Sequence, residues 1–141
     1  MTILEMCDAN AASVPVTATA EEAIRTMLER RVGAVAILDE SQRMAGVFTE
    51  RDVLRRVALS GRAPADIPIR EVMTTPVEMA TLDTSPAEAL STMVERHYRH
   101  LPIVDDDVRL LGMLSIRNLL QARIDTLKRQ LEEVRSSRDS K

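Results

Sequence analysis

The sequence predicts an α+β fold: two tandem βαββα repeats packed against each other by pseudo-twofold symmetry, followed by a C-terminal helix. Three observations lead there. Sliding the chain on itself by 66 positions lays residues 22–57 on residues 88–123 without a gap, with identities that include Glu22, Ala23, Thr26, Met27, Gly46 and Arg51. Each copy opens with a capping box, Thr19-Ala20-Glu21-Glu22 and Ser85-Pro86-Ala87-Glu88, ahead of an amphipathic stripe. Each then runs through two short apolar segments split by a polar turn, the signature of a hairpin. A period of 66 is too long for a solenoid unit, so the repeats are two small domains that pack face to face.

The elements follow in order. A short extended lead-in is expected at residues 14–17 and again at 77–81. The first helix of each copy begins at its capping box, with Pro86 at the first helical position of the second copy, where a missing N–H is harmless. The hairpins span 34–38 with 44–48, and 101–104 with 110–114. A second helix starts after Thr49 and after Ser115. Residues 60–68, rich in Gly and Pro, form the linker. This divides the chain into a first repeat with linker at 1–66, a second repeat at 67–123 and a tail at 124–141. In the tail, Leu120, Ile124, Leu127, Leu131 and Val134 alternate steps of four and three. That spacing fits a coiled-coil seam and equally a helix that packs on its own domain. Residues 136–141 are expected to fray.

Composition narrows the function. The chain has 141 residues with 45% apolar and 29% charged side chains, the balance of a globular domain. A net charge of −3 leaves no basic surplus to meet a nucleic-acid backbone. Phe48 and Tyr98 are the only aromatic residues, so any bound base must lie on aliphatic side chains. Cys7 is the sole cysteine, which excludes an internal disulfide. The amino terminus carries Glu5 and Asp8, and no apolar run approaches the roughly 18 residues of a membrane span, so the expected location is cytoplasmic.

The chemistry concentrates at the turn Gly46-Val47-Phe48-Thr49-Glu50-Arg51-Asp52. Thr49 offers a hydroxyl beside free amides at a helix start, and Asp52 lies one turn further on. A carboxylate there can accept from two vicinal hydroxyls, which is what a ribose presents. The same Thr49/Asp52 pair is also a self-sufficient helix cap that requires no ligand.

The duplicated Gly-apolar-apolar-Thr/Ser-x-x-Asp turn is accompanied by two further signatures. Arg99-His100-Leu101-Pro102-Ile103-Val104-Asp105 enters the second hairpin, and Arg70-Glu71-Val72-Met73-Thr74 opens the second copy. Together they resemble a tandem pair of CBS (cystathionine β-synthase) domains, a Bateman module of the stand-alone bacterial type, over about residues 3–123. The resemblance implies clefts between the repeats that bind adenosyl compounds such as AMP, ADP, ATP, S-adenosylmethionine or NAD as regulatory ligands, with no catalytic cofactor. It also implies assembly as a homodimer. By that resemblance, Asp52 would hold the ribose, with Thr49 and Arg51 near ribose and phosphate. The base would lie between Val47 and the second-copy residues Thr81, Tyr98, Arg99 and Leu101, with His100 near the phosphate or simply at the strand start. The second cleft would use Met113, Ser115, Arg117 and Asn118 with Thr17, Val32, Gly33 and Ala34. Asn118 departs from the pattern by replacing the aspartate, which marks that cleft as the weaker one.

Other clusters read more plainly. His97 and His100 lack a third metal-ligand partner, Asp105-Asp106-Asp107 reads as solvated turn acids, and Met27 and Met93 read as packing residues. No nucleophile constellation is evident, so the expected function is not enzymatic. It is a regulatory module that senses an adenosyl ligand and signals to a separate effector protein. The alternative is an interaction or dimerisation protein with vestigial clefts.

Overall fold

A computed structural model describes residues 2–7 and 10–139. Asp8, and Ser140 and Lys141 of the segment expected to fray, lie outside them. In chain order the elements are α1 (Ile3–Met6), β1 (Ser13–Pro15), α2 (Ala20–Arg30), β2 (Ala34–Leu38), β3 (Met44–Thr49) and α3 (Glu50–Asp52), which continues as a π-helical turn over Val53–Val57. After a 3-10 turn at Pro64–Asp66 come α4 (Ile69–Val72), α5 (Pro86–Arg96), β4 (His100–Val104), β5 (Leu110–Ser115) and α6 (Ile116–Asp139).

The two repeats match in backbone detail. Thr19 accepts from the Glu22 amide at 3.2 Å, and Glu22 reaches back to the Thr19 amide at 3.4 Å. Ser85 caps α5 through the Glu88 amide at 3.1 Å. Both helices end in a left-handed residue, Arg31 at φ 53° and His97 at φ 59°. Both hairpin turns are closed by an aspartate, Asp39 and Asp105, each accepting two turn amides. Asp105 therefore serves the turn as the sequence suggests. A register shift falls at Ile37/Leu38 in one hairpin and at Ile103/Val104 in the other.

β1 pairs parallel to β2, and β2 antiparallel to β3, giving one three-stranded sheet. β4 and β5 form the second sheet, in which the expected lead-in at 77–81 contributes only a single parallel bridge, Ala80 with Ile103. The sheets meet through Ala36, Val47 and Met113, with Leu38, Met44, Val77 and Leu110 packed around them.

The cores do not respect the division at residue 66. Ile67, Ile69 and Val72 are buried with Val35, Ile37 and Phe48 in the core of the first repeat. Ile3 is buried with Leu101, Ile103 and Leu114 in the core of the second, with Met6 packed beside it. Each repeat thus lends its leading helix to the other, which ties the halves together by apolar burial. Met27 and Met93 occupy equivalent core positions, one in each.

The tail corrects one reading. Leu119 is buried in the second core. By contrast Leu120, Ile124, Leu127, Leu131 and Val134 are between 44% and 59% exposed, so the seam does not pack on its own domain. Residues 136–139, expected to fray, continue the helix, since neither Gly nor Pro interrupts it. No helix among the described residues is long and apolar enough to cross a membrane.

Candidate functional site

Two clefts open between the repeats. The first, about 510 Å³, is bounded by the β3–α3 turn on one side and by the α5–β4 turn on the other. Val47, Thr49, Arg51, Asp52, Tyr98, Arg99 and His100 all line it. The second, about 1080 Å³, is bounded by the equivalent β5–α6 turn and the α2–β2 turn, and Val32, Gly33, Ala34, Met113, Ser115, Arg117 and Asn118 line it.

Three expected residues lie elsewhere. Leu101 is 1% exposed inside the second core. Side chains alternate across β4, so His100 and Pro102 face the first cleft while Leu101 faces the helices. Thr81 closes a turn through Asp83 and Thr84, and Thr17 sits exposed in the turn after β1. Their places are taken by residues three to six positions earlier, Val77 and Glu78 in the first cleft and Ala11 and Ala12 in the second. These pairs are themselves related by 66 positions, a signal present in the sequence.

Asp52 is the one charged side chain among the buried residues described, at 5% exposure. Its Oδ2 accepts from the Thr49 amide at 3.0 Å and the Thr49 hydroxyl at 3.2 Å. Its Oδ1 accepts from the Thr74 hydroxyl at 3.0 Å and lies 3.8 Å from Arg56 Nε. The carboxylate therefore caps its own helix and holds the extended segment that leads from α4 toward α5. A carboxylate has about four acceptor positions, so its remaining capacity lies on Oδ1, where the Thr74 hydroxyl can swing aside.

Asn118 repeats the cap without the charge. Its Oδ1 accepts from the Ser115 amide and hydroxyl, each at 2.8 Å. That occupies its oxygen and leaves the amide N–H groups as the part it can offer to the cleft.

Arginine supplies most of the charge. Arg51, Arg55, Arg56, Arg96 and Arg99 line the first cleft against Glu50, Asp52 and Glu78. Arg31, Arg99 and Arg117 line the second against Glu50 alone. Arg51 also donates to the His97 carbonyl at 3.3 Å, linking the first-repeat turn to the C-cap of α5. His97 is thereby placed as a helix terminator, and no group of three metal-ligating side chains occurs among the described residues.

Gly33, Glu50, Arg99 and His100 border both clefts. A methyl group built on Gly33 would lie 3.2 Å from His100 Cε1 and 3.3 Å from Glu50 Cδ, so this partition is close-packed. Burial of His100 lowers its pKa below 6.5, with Glu50 acting to raise it and Arg99 to lower it. The sequence reading missed Glu50 because its second-repeat equivalent, Ile116, is apolar.

Mirrored caps, mirrored αL turns and paired clefts across the sheet interface are the geometry that the duplicated sequence predicts. A sequence profile of the CBS domain matches residues 4–59 and 69–125. The chain belongs to the CBS-domain family. This CBS pair is 37% identical over 107 residues to an uncharacterised 17.7 kDa protein of Acidianus ambivalens, covering 76% of this chain and 63% of that one. It thus spans less than two thirds of the length of that curated relative. Among solved structures, a CBS-domain protein of Burkholderia ambifaria is 30% identical, with a TM-score of 0.79 over 87% of this chain and 91% of that one. Two CBS pairs solved with ligands share the fold. One, in complex with 5′-methylthioadenosine and S-adenosyl-L-methionine, is 18% identical, with a TM-score of 0.81 over 89% of this chain and 98% of that one. CBSX2 in complex with AMP is 21% identical, with a TM-score of 0.76 over 89% and 97%.

Proposed function

We propose that this CBS pair is a regulatory, non-catalytic module that binds an adenosyl nucleotide between its repeats and signals through a change in partner contacts. The observation that carries the reading is the first cleft. It has an aliphatic wall at Val47, a buried carboxylate at Asp52 and a rim of five arginines, matched to a purine, a ribose and a phosphate in turn. The arginines favour an anionic ligand such as AMP, ADP or ATP over the cationic sulfonium of S-adenosylmethionine. Asp52 takes the ribose hydroxyls through Oδ1, displacing Thr74. Asn118 holds a second ligand more weakly, donating from its amide. The homologous pairs that bind AMP or S-adenosylmethionine support the ligand class.

Apolar side chains stand exposed at equivalent places on the first helices of the two repeats, Leu28 with Val94. A homodimer that covers them accounts for this arrangement. A cytoplasmic setting accords with the single cysteine.

The three protein hydrogen bonds that Asp52 already accepts favour a second reading, in which Thr49/Asp52 only caps a helix and the clefts are vestigial. Thermal shift decides between them. AMP at a hundred times its dissociation constant stabilises by about 2.7 kcal/mol, a rise of roughly 8 °C at this chain length. Asp52→Asn is expected to lose most of that ligand-induced rise, measured against its own unliganded melting point. No shift with AMP, ADP, ATP, NAD or S-adenosylmethionine would establish the vestigial reading.

A further inference from the structure

From Leu120 onward α6 carries an apolar seam whose occupant its charges select. Leu120, Ile124, Leu127, Leu131 and Val134 fall on the a and d positions of a heptad and are all exposed. They form a stripe roughly 21 Å long at 1.5 Å per residue. Every described residue from Leu127 onward is exposed, and a helical end with no tertiary packing is marginal in water, so the seam is stabilised by whatever covers it.

The flanks are of one sign. The positions beside the seam are Gln121, Arg123, Lys128, Gln130, Arg135 and Ser137, three cations and no acid. The acids Asp125, Glu132 and Glu133 fall on the outer positions, and Asp125 accepts from Gln121 at 3.0 Å. In a parallel pair of these helices, Arg123 of one copy would face Lys128 of the other, which is repulsive. An antiparallel pair would also bring only cations and neutral side chains together along its flanks. An anionic bilayer is disfavoured because a helix bound to anionic lipid is rich in Lys and Arg across its polar face, whereas the outer face here sets Asp125, Glu132 and Glu133 beside Arg129.

We infer that the α6 seam of this chain docks an amphipathic helix of a different protein whose own seam is flanked by Glu or Asp. Apolar burial supplies the affinity, while Arg123, Lys128 and Arg135 exclude self-pairing and select acidic flanks. This goes beyond the ligand reading and does not depend on it, because the seam lies outside both clefts.

The test uses the full chain and two designed helical peptides with identical Leu seams, one flanked by Glu and one by Lys, followed by fluorescence anisotropy. The Glu-flanked peptide should bind at least roughly tenfold more tightly in low salt, with the ratio shrinking as salt screens the flanks. Lys128→Glu with Arg135→Glu should reverse the preference, and Leu131→Asp should abolish binding of both while leaving the melting point unchanged. Equal binding of the two peptides, or binding of neither, overturns the inference. So does disulfide cross-linking between copies of a Leu131→Cys chain with Cys7→Ser, which would make a second copy the occupant. Tighter binding to phosphatidylserine vesicles than to the Glu-flanked peptide would overturn it in favour of a membrane.

Discussion

Replacing Asp52 by alanine tests whether this carboxylate is a helix cap alone or the node that joins both repeats. Loss of an ordinary cap costs about 1 kcal/mol. Here the same group also takes the Thr74 hydroxyl, 22 residues away, and lies beside Arg56. Hydrogen bonds to a charged, buried acceptor contribute about 1.5–3 kcal/mol each, and the three that Asp52 accepts are not additive. Arg56 adds little, since it is half exposed and retains the Met73 carbonyl at 2.7 Å. The expected loss for Asp52→Ala is therefore about 2–4 kcal/mol, softened by water entering from the adjoining cleft. At roughly 3 °C per kcal/mol this lowers the melting point by about 6–12 °C. Asp52→Asn reproduces the arrangement that Asn118 already adopts in the second repeat, and should lose only about 1 kcal/mol. Calorimetry and urea titration on both variants, with Thr74→Val as the partner in a double-mutant cycle, read the coupling directly. If Asp52→Ala lost no more than Asp52→Asn, and its effect simply added to that of Thr74→Val, the node would not exist.

Two further outcomes follow from the same region. A methyl group at Gly46 would lie 2.6 Å from Met73 Sδ and 3.1 Å from the Thr74 carbonyl, so Gly46→Ala must turn the Met73 side chain aside and push back the Thr74 carbonyl that bridges to Val47; urea denaturation should show a loss of about 1–3 kcal/mol. His100 is held below its ordinary pKa, so the unfolded chain takes up its proton first as pH falls. The His100 contribution is present above pH 6.5 and lost below it, toward the folded pKa. The melting point should therefore fall between pH 7.5 and 5.5, and less steeply in His100→Gln; equal slopes would show that other groups control it.

The sequence discloses what local chemistry decides. The capping residues Thr19 and Ser85, the turn aspartates and the duplicated Thr49/Ser115 turns all act within five residues of chain, and a repeat of 66 reads them twice. Whatever depends on non-local packing was hidden. Nothing in the spelling of Ile3 or Ile69 says that each is buried in the opposite repeat. The family resemblance assigns Leu101 to a cleft, whereas strand alternation turns it inward. Thr17 and Thr81 are polar residues near the expected strands, and the less conspicuous Ala11 and Val77 hold the cleft positions. Glu50 has no acidic counterpart at Ile116, so the repeat that exposed the rest concealed it.

The two clefts share a wall. Gly33, Glu50, Arg99 and His100 are furniture for two rooms at once. A guest that nudges the imidazole or the carboxylate on one side redraws the other, and the traffic is symmetrical. The factor by which the first guest changes the dissociation constant of the second equals the factor in reverse, whichever enters first.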